Sequence, residues 1–200
     1  KAAFTSAGTE EVPAAPGTAV RSLVTSTSGE LIVVKDGESI QAAVTAAKPG
    51  AVIKVMPGTY KETVYIDKDN ITLSGVIEQG KYPVLEGEGL RNDAVLYSGN
   101  GVTVENLYIT NYKGNGVMGQ AGNNFIIRNN IIVDTGVYGI FPQLGDNGIV
   151  SHNIVSGIED AAIYVGMSDH VDVVFNQVFG SGAGIEIENS RHALVEGNYV

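Results

Sequence analysis

From Gly99 to Val200 the chain repeats one short phrase about every 23 residues. An apolar column reads Ile109, Ile132, Val155, Val178 and Val200, in steps of 23, 23, 23 and 22. A second column reads Val117, Ile140, Ile163 and Ile185, each preceded by a very small residue: Gly116, Gly139, Ala162 or Gly184. A fixed period of this length marks a solenoid, in which no repeat buries its apolar face alone and each stacks on its neighbours.

Glu30 to Lys35 reads as a strand, and Asp36-Gly37 then turns the chain into Ser39, a good helix N-cap. Ile40, Ala43, Val44 and Ala47 fall on one helical face before Pro49-Gly50 stops the helix. A strand Val52 to Val55 follows, then a turn at Pro57-Gly58-Thr59-Tyr60, a strand Thr63 to Ile66 and, after Asp69-Asn70, a strand Ile71 to Leu73. Three short strands within about 25 residues match one coil of a three-sided β-helix, and the amphipathic helix before them suits the end of such a stack. Val76 to Ser98 breaks the rhythm and is expected to be an irregular coil with an insertion. The expected organisation is a flexible tether over residues 1–29, a cap strand and helix over 30–50, and coils over 51–200 that are incomplete at the C-terminal end. Since Asn198-Tyr199-Val200 enters a strand and stops, further chain, another domain or a partner is expected to cover that end.

Within each coil the first strand alternates. Inward pairs are Val102/Val104, Phe125/Ile127, Gly148/Val150, Val171/Val173 and Ala193/Val195. Stacked aliphatic side chains of this kind contribute about 1.5–3 kcal/mol each when fully buried. Asn130, Asn153, Asn176 and Asn198 form a column before the second strand, where an amide can bond both backbone and the next Asn while the backbone turns through left-handed angles. Asn106 falls one residue early in that column, which predicts a small bulge.

Bulk properties narrow the functional classes. The net charge of −10, with 12 scattered Lys and Arg, argues against nucleic-acid binding. Cysteine is absent, which removes disulfides, thiolate metal sites and a cysteine nucleophile. No apolar run approaches the roughly 18 residues that a membrane span needs. A start at Lys1 is expected of a removed leader or of an arbitrary boundary.

Residues 36–75, DGESIQAAVTAAKPGAVIKVMPGTYKETVYIDKDNITLSG, resemble the N-terminal cap and first coil of right-handed parallel β-helix proteins of the pectin lyase-like superfold. The segments Gly136–Pro142, Asp160–Ser168 and Gly184–Ser190 are similar to an uncharacterised subgroup of parallel β-helix repeat-containing proteins. The resemblance covers about residues 31–200. It implies an all-β, right-handed parallel β-helix with three sheets, about 23 residues per coil and a short N-terminal capping helix. It identifies an architecture and no activity; a secreted, periplasmic or cell-surface location and a polysaccharide partner are expected instead from the outward face of the third strands. The Asn-Thr-Asp, Asp-Asp and Gly-His-Gly motifs of polygalacturonase-like hydrolases are absent, as is the Asp-Pro-His-Glu of alginate epimerases. Pro142-Gln143-Leu144-Gly145-Asp146 does not reproduce the Gln-Asp and Asp-Phe arrangement of pectin methylesterases.

Candidate site residues come from the third strand of each coil. Its outward columns read Met118, Phe141, Tyr164, Glu186 and Gln120, Gln143, Gly166, Glu188. Such a face is either an ordinary solvated surface or one that binds sugars, with rings stacked on Phe141 and Tyr164 and hydroxyls bonded to Gln120, Gln143 and the carboxylates. Glu186 and Glu188 stand roughly 6.5 Å apart along the strand. Their repulsion, about 2.5 kcal/mol at an effective dielectric near 20, invites a cation or a raised pKa. They are the candidate acid and base for cleaving a glycan, a uronate-containing one included, and with Asp160 the candidate ligands for Ca²⁺. Arg191 is expected to clamp an acidic sugar or to pair with Glu188. The alternatives are a noncatalytic adhesive or structural module, or metal handling through His170 and His192, which share a turn column with Asn124 and Asn147.

Overall fold

The computed structural model describes residues 29–200; residues 1–28 of the expected tether lie outside it. The chain winds through three parallel sheets of eight, six and six strands, each strand pairing with its counterparts one coil away. The first sheet runs from Leu31–Val34 to Leu194–Glu196, the second from Gly58–Tyr60 to Gln177–Phe179, and the third from Val64–Ile66 to Ala183–Glu188. Crossovers between parallel strands of one sheet wind right-handed.

The sequence period becomes the pairing register. Ile132 lies opposite Ile109 and Val155, and Ile140 opposite Val117 and Ile163. All of these side chains are buried in one continuous core. The small residue before each third strand has a steric cause: a Cβ at Gly139 would lie 2.4 Å from Val155 Cγ1 and 2.5 Å from the Ala162 carbonyl oxygen of the next coil. Large rings are matched by missing side chains one coil on. Phe125 occupies the inward slot below Gly148, whose added Cβ would sit 1.8 Å from the ring, and Tyr97 fills the space that Gly119 leaves. Interior packing tolerates no extra methyl there.

The cap is tied to the first coil at both ends of the helix Ile40–Ala46. Ser39 Oγ accepts from the Ala42 amide, while the Glu62 carboxylate accepts from the amides of Ile40 and Gln41 at 2.7 and 3.0 Å. At the other end Lys68 Nζ donates to the carbonyls of Val44, Thr45 and Ala47. Anion at the N-terminus and cation at the C-terminus both complement the helix dipole. The preceding strand, Leu31–Val34, is itself the first strand of the first sheet, paired with Val52–Val55.

Three local expectations are corrected. Gly58–Tyr60 is a strand of the second sheet, not a turn, because Pro83–Glu86 pairs with it. The ladder asparagines do not carry the left-handed backbone. The residue before each does: Asn129, His152, Phe175 and Gly197 have φ of 55, 55, 56 and 65°. Asn106, at 59°, belongs to that column, so it marks a regular corner and not a bulge, and the Leu107 amide donates to Asn130 Oδ1. The ladder amides are otherwise as expected: Asn130, Asn153 and Asn176 are buried and each donates through Nδ2 to the next Asn. Val195 keeps the inward register opposite buried Val173, while on the last described coil Ala193, Val195, Tyr199 and Val200 are exposed. No helix among the described residues is long and apolar enough to cross a membrane.

Candidate functional site

The outward columns of the third sheet stand in the register that alternation demands. Met118 is opposite Phe141 and Gln120 opposite Gln143; Tyr164 is opposite Glu186 and Gly166 opposite Glu188. Inward neighbours Ile140, Ile163 and Val165 are buried, which fixes the strands and holds the outward side chains at the surface.

Three aromatic rings gather on this face. Phe141 and Tyr164 meet edge to face with centroids 4.9 Å apart, and Tyr138 joins both, stacked on Tyr164 at 4.8 Å and edge-on to Phe141 at 4.7 Å. Tyr138 was not among the residues that the strand pattern singled out. It sits in the turn before Ile140–Gln143, where period-two alternation does not apply, and only the packed structure shows that its ring returns to the sheet. The Tyr164 hydroxyl donates to the Glu188 carboxylate. The geometry depends on Gly166: an added Cβ there would lie 2.8 Å from Tyr164 Cε1, so the ring lies along bare backbone to reach one coil on.

The carboxylates surround these rings. Burial raises the pKa of the Tyr138 hydroxyl above its ordinary value, and the charges of Asp160, Glu186 and Glu188 raise it further, as does a hydrogen bond to Asp160. The face thus holds the Tyr164 hydroxyl against the Glu188 carboxylate and sets the Tyr138 hydroxyl in the negative field of three acids. Gln143 lies half-buried beside them, and Gln120 is exposed one coil earlier.

Arg191 is not with Glu188. Its guanidinium lies 3.5 Å from Asp169 Oδ2, and its side chain is 78% exposed. The reason is backbone pairing, since Asp169 and Arg191 form an isolated parallel bridge at the corner that follows the third sheet. Asp169 Oδ1 also lies 2.7 Å from His192 Nδ1 and 3.0 Å from His170 Nδ1. The two imidazoles stack with centroids 4.5 Å apart. The contact with His192, chiefly, holds the Asp169 carboxyl below its usual pKa. Among the described residues, Asp169, His170 and His192 are the three ligand-type side chains that converge, whereas Asp160, Glu186 and Glu188 do not form such a group.

Comparison with known proteins gives the fold a family context. The family description "Right handed beta helix region" matches residues 64–200. No curated protein sequence matches the chain. Among solved structures, the A-module of the Azotobacter vinelandii mannuronan C-5 epimerase AlgE6 superposes with a TM-score of 0.57 at 10% identity, over 85% of this chain and 65% of that one. A pectin methylesterase in complex with a hexasaccharide gives 0.55 at 17% identity, over 85% and 67%. A tailspike protein of an Acinetobacter baumannii bacteriophage, a capsular polysaccharide depolymerase, gives 0.54 at 11% identity, over 80% and 35%. The chain spans about two thirds or less of each of these structures. Identities this low establish a common fold alone.

Proposed function

The chain belongs to the right-handed β-helix family, and we propose that it binds a polysaccharide along the outward face of its third sheet. The observation that carries this reading is the platform of Tyr138, Phe141 and Tyr164, with centroids 4.7 to 4.9 Å apart, edged by Gln143 and by carboxylates of which Glu188 accepts from the Tyr164 hydroxyl. Apolar sugar faces stack on rings, and sugar hydroxyls bond amide and carboxylate oxygens of this kind. Support comes from the neighbours of the same fold, whose names describe action on mannuronan, pectin and capsular polysaccharide.

The charge of the face selects among glycans. Asp160, Glu186 and Glu188 all lie within electrostatic reach of Tyr138, while Arg191 is drawn away to Asp169. A uronate polymer would meet like charge, so a neutral polysaccharide fits better. Such a role places the protein outside the cytoplasm, whether secreted, periplasmic or at the cell surface, and fractionation of its source cells tests that placement.

A glycan array probed with the full chain tests the binding. Retention of neutral polymers, lost in a Tyr164→Ala, Glu186→Gln, Glu188→Gln triple variant, is the expected result; equal retention by the variant overturns the reading. Glu186 and Glu188 are also where cleavage would be carried. Release of reducing ends that disappears in Glu186→Gln would add a hydrolytic activity.

A further inference from the structure

We propose that Asp169, His170 and His192 form a binding site for a divalent transition-metal ion, held by one carboxylate oxygen and two imidazole nitrogens. This site is distinct from the aromatic face and stands whether or not that face binds glycan.

The fold builds the site from two ladders that change character at the same coil. The first is a column of left-handed corners, Asn70, Gly101, Asn124, Asn147, His170 and His192, with φ between 51 and 68°. Only the last two positions carry imidazole, and parallel stacking one coil apart brings their rings to 4.5 Å. The second ladder runs just before it. Asp69, Asn100, Asn123 and Asp146 each accept, through a side-chain oxygen, the backbone N–H of the equivalent residue one coil on, at 2.8 to 3.0 Å. Asp169 is the next member, and there the pattern ends. The Arg191 amide, which would be its donor, goes to the Ser168 carbonyl at 3.0 Å. Asp169 Oδ1 meets the two imidazoles instead.

The chemistry of the set suits a metal. The ligand atoms lie within 4.8 Å of one another. Nitrogens and oxygens bound at about 2.0–2.2 Å around one ion stand about 3–4 Å apart, so small ring rotations admit an ion. Two nitrogens in three ligands favour Zn²⁺, Cu²⁺ or Ni²⁺ over Ca²⁺ and Mg²⁺, which take oxygen. Side-chain exposures of 25, 36 and 63% for Asp169, His170 and His192 leave coordination positions open to water. Arg191 contacts only Oδ2 and is mostly exposed, so it leaves Oδ1 to the ion. The net charge of −10 favours cation approach.

Zn²⁺ titration of the full chain, followed by calorimetry and by NMR of the three imidazoles, tests the assignment. One equivalent of Zn²⁺ should bind, shifting the resonances of His170 and His192 while His152 stays in place. Asp169→Asn and His192→Ala should each weaken binding by about tenfold or more, with His152→Ala unchanged and Ca²⁺ failing to compete. The NMR arm uses the unaltered protein and so does not depend on the variants folding. No shift at His170 and His192, or equal affinity in all variants, overturns the proposal.

Discussion

The Tyr164 hydroxyl donates to the Glu188 carboxylate from the neighbouring coil, across the bare backbone of Gly166. The bond couples an aromatic surface to an acid at the edge of the face proposed to bind glycan. Removing the hydroxyl frees Glu188 without removing the ring, whereas adding a methyl at Gly166 displaces the ring itself. Tyr164→Phe should therefore weaken glycan binding by about 1 kcal/mol, roughly fivefold, and Gly166→Ala should weaken it more. Affinity electrophoresis in glycan-containing gels measures both; an effect of Tyr164→Phe larger than that of Gly166→Ala would show that the ring position matters less than the hydroxyl.

The interior offers a sharper steric test. Gly148→Ala places a methyl against Phe125, which is fully buried and cannot retreat. A cost of about 1–3 kcal/mol is expected. Combining it with Phe125→Leu should cost less than the sum of the two single changes, because the smaller side chain vacates the contact. Urea denaturation of the four proteins in this cycle reads the coupling, and simple additivity would contradict the packing described.

At the cap, Glu62→Ala removes the acceptor for the Ile40 and Gln41 amides and the Ser39 hydroxyl. The loss should be about 1–2 kcal/mol. Its signature is local: hydrogen exchange should speed up at residues 40–47 and remain slow at the ladder asparagines Asn130 and Asn153. Uniform acceleration along the solenoid would mean that the cap and coils unfold as one unit.

Alkaline pH should destabilise the fold. Burial pushes the Tyr60 hydroxyl up to about 12, with the charges of Asp36, Glu38 and Glu62 assisting, and burial also raises Tyr97 and Tyr112 above the ordinary value of 10.0. A group whose pKa is raised in the folded state holds its proton there after the unfolded chain has lost it. Its contribution is complete below pH 10.0 and is lost as pH rises towards the folded-state value of about 12. Phenolate absorbance followed beside circular dichroism should show some of the nine tyrosines titrating only as the sheet signal collapses. Full titration of all nine with the sheets intact would contradict the burial.

The columns that repeat through strands were legible in the sequence because a parallel stack converts period into register. Ile109, Ile132 and Val155, the buried amides of Asn130 and Asn153, and the outward row of Phe141, Tyr164 and Glu186 all follow from that conversion. Corners obey no such alternation. Tyr138 and Asp160 lie in or beside turns, and their proximity depends on how each loop folds back on the sheet. Asp169 was hidden for another reason. It repeats Asp146 in type and differs only because the next coil presents Arg191 and directs its amide elsewhere. Arg191 itself was expected beside Glu188 on proximity in sequence, and the corner bridge takes it to Asp169.

Backbone NMR of the chain titrated with an oligosaccharide chosen from the array locates binding most directly. The expected shifts cluster at residues 138–143, 161–166 and 183–188, with the first and second sheets unmoved. Shifts confined to either of those sheets, or none at saturating sugar, would contradict a glycan-binding face on the third.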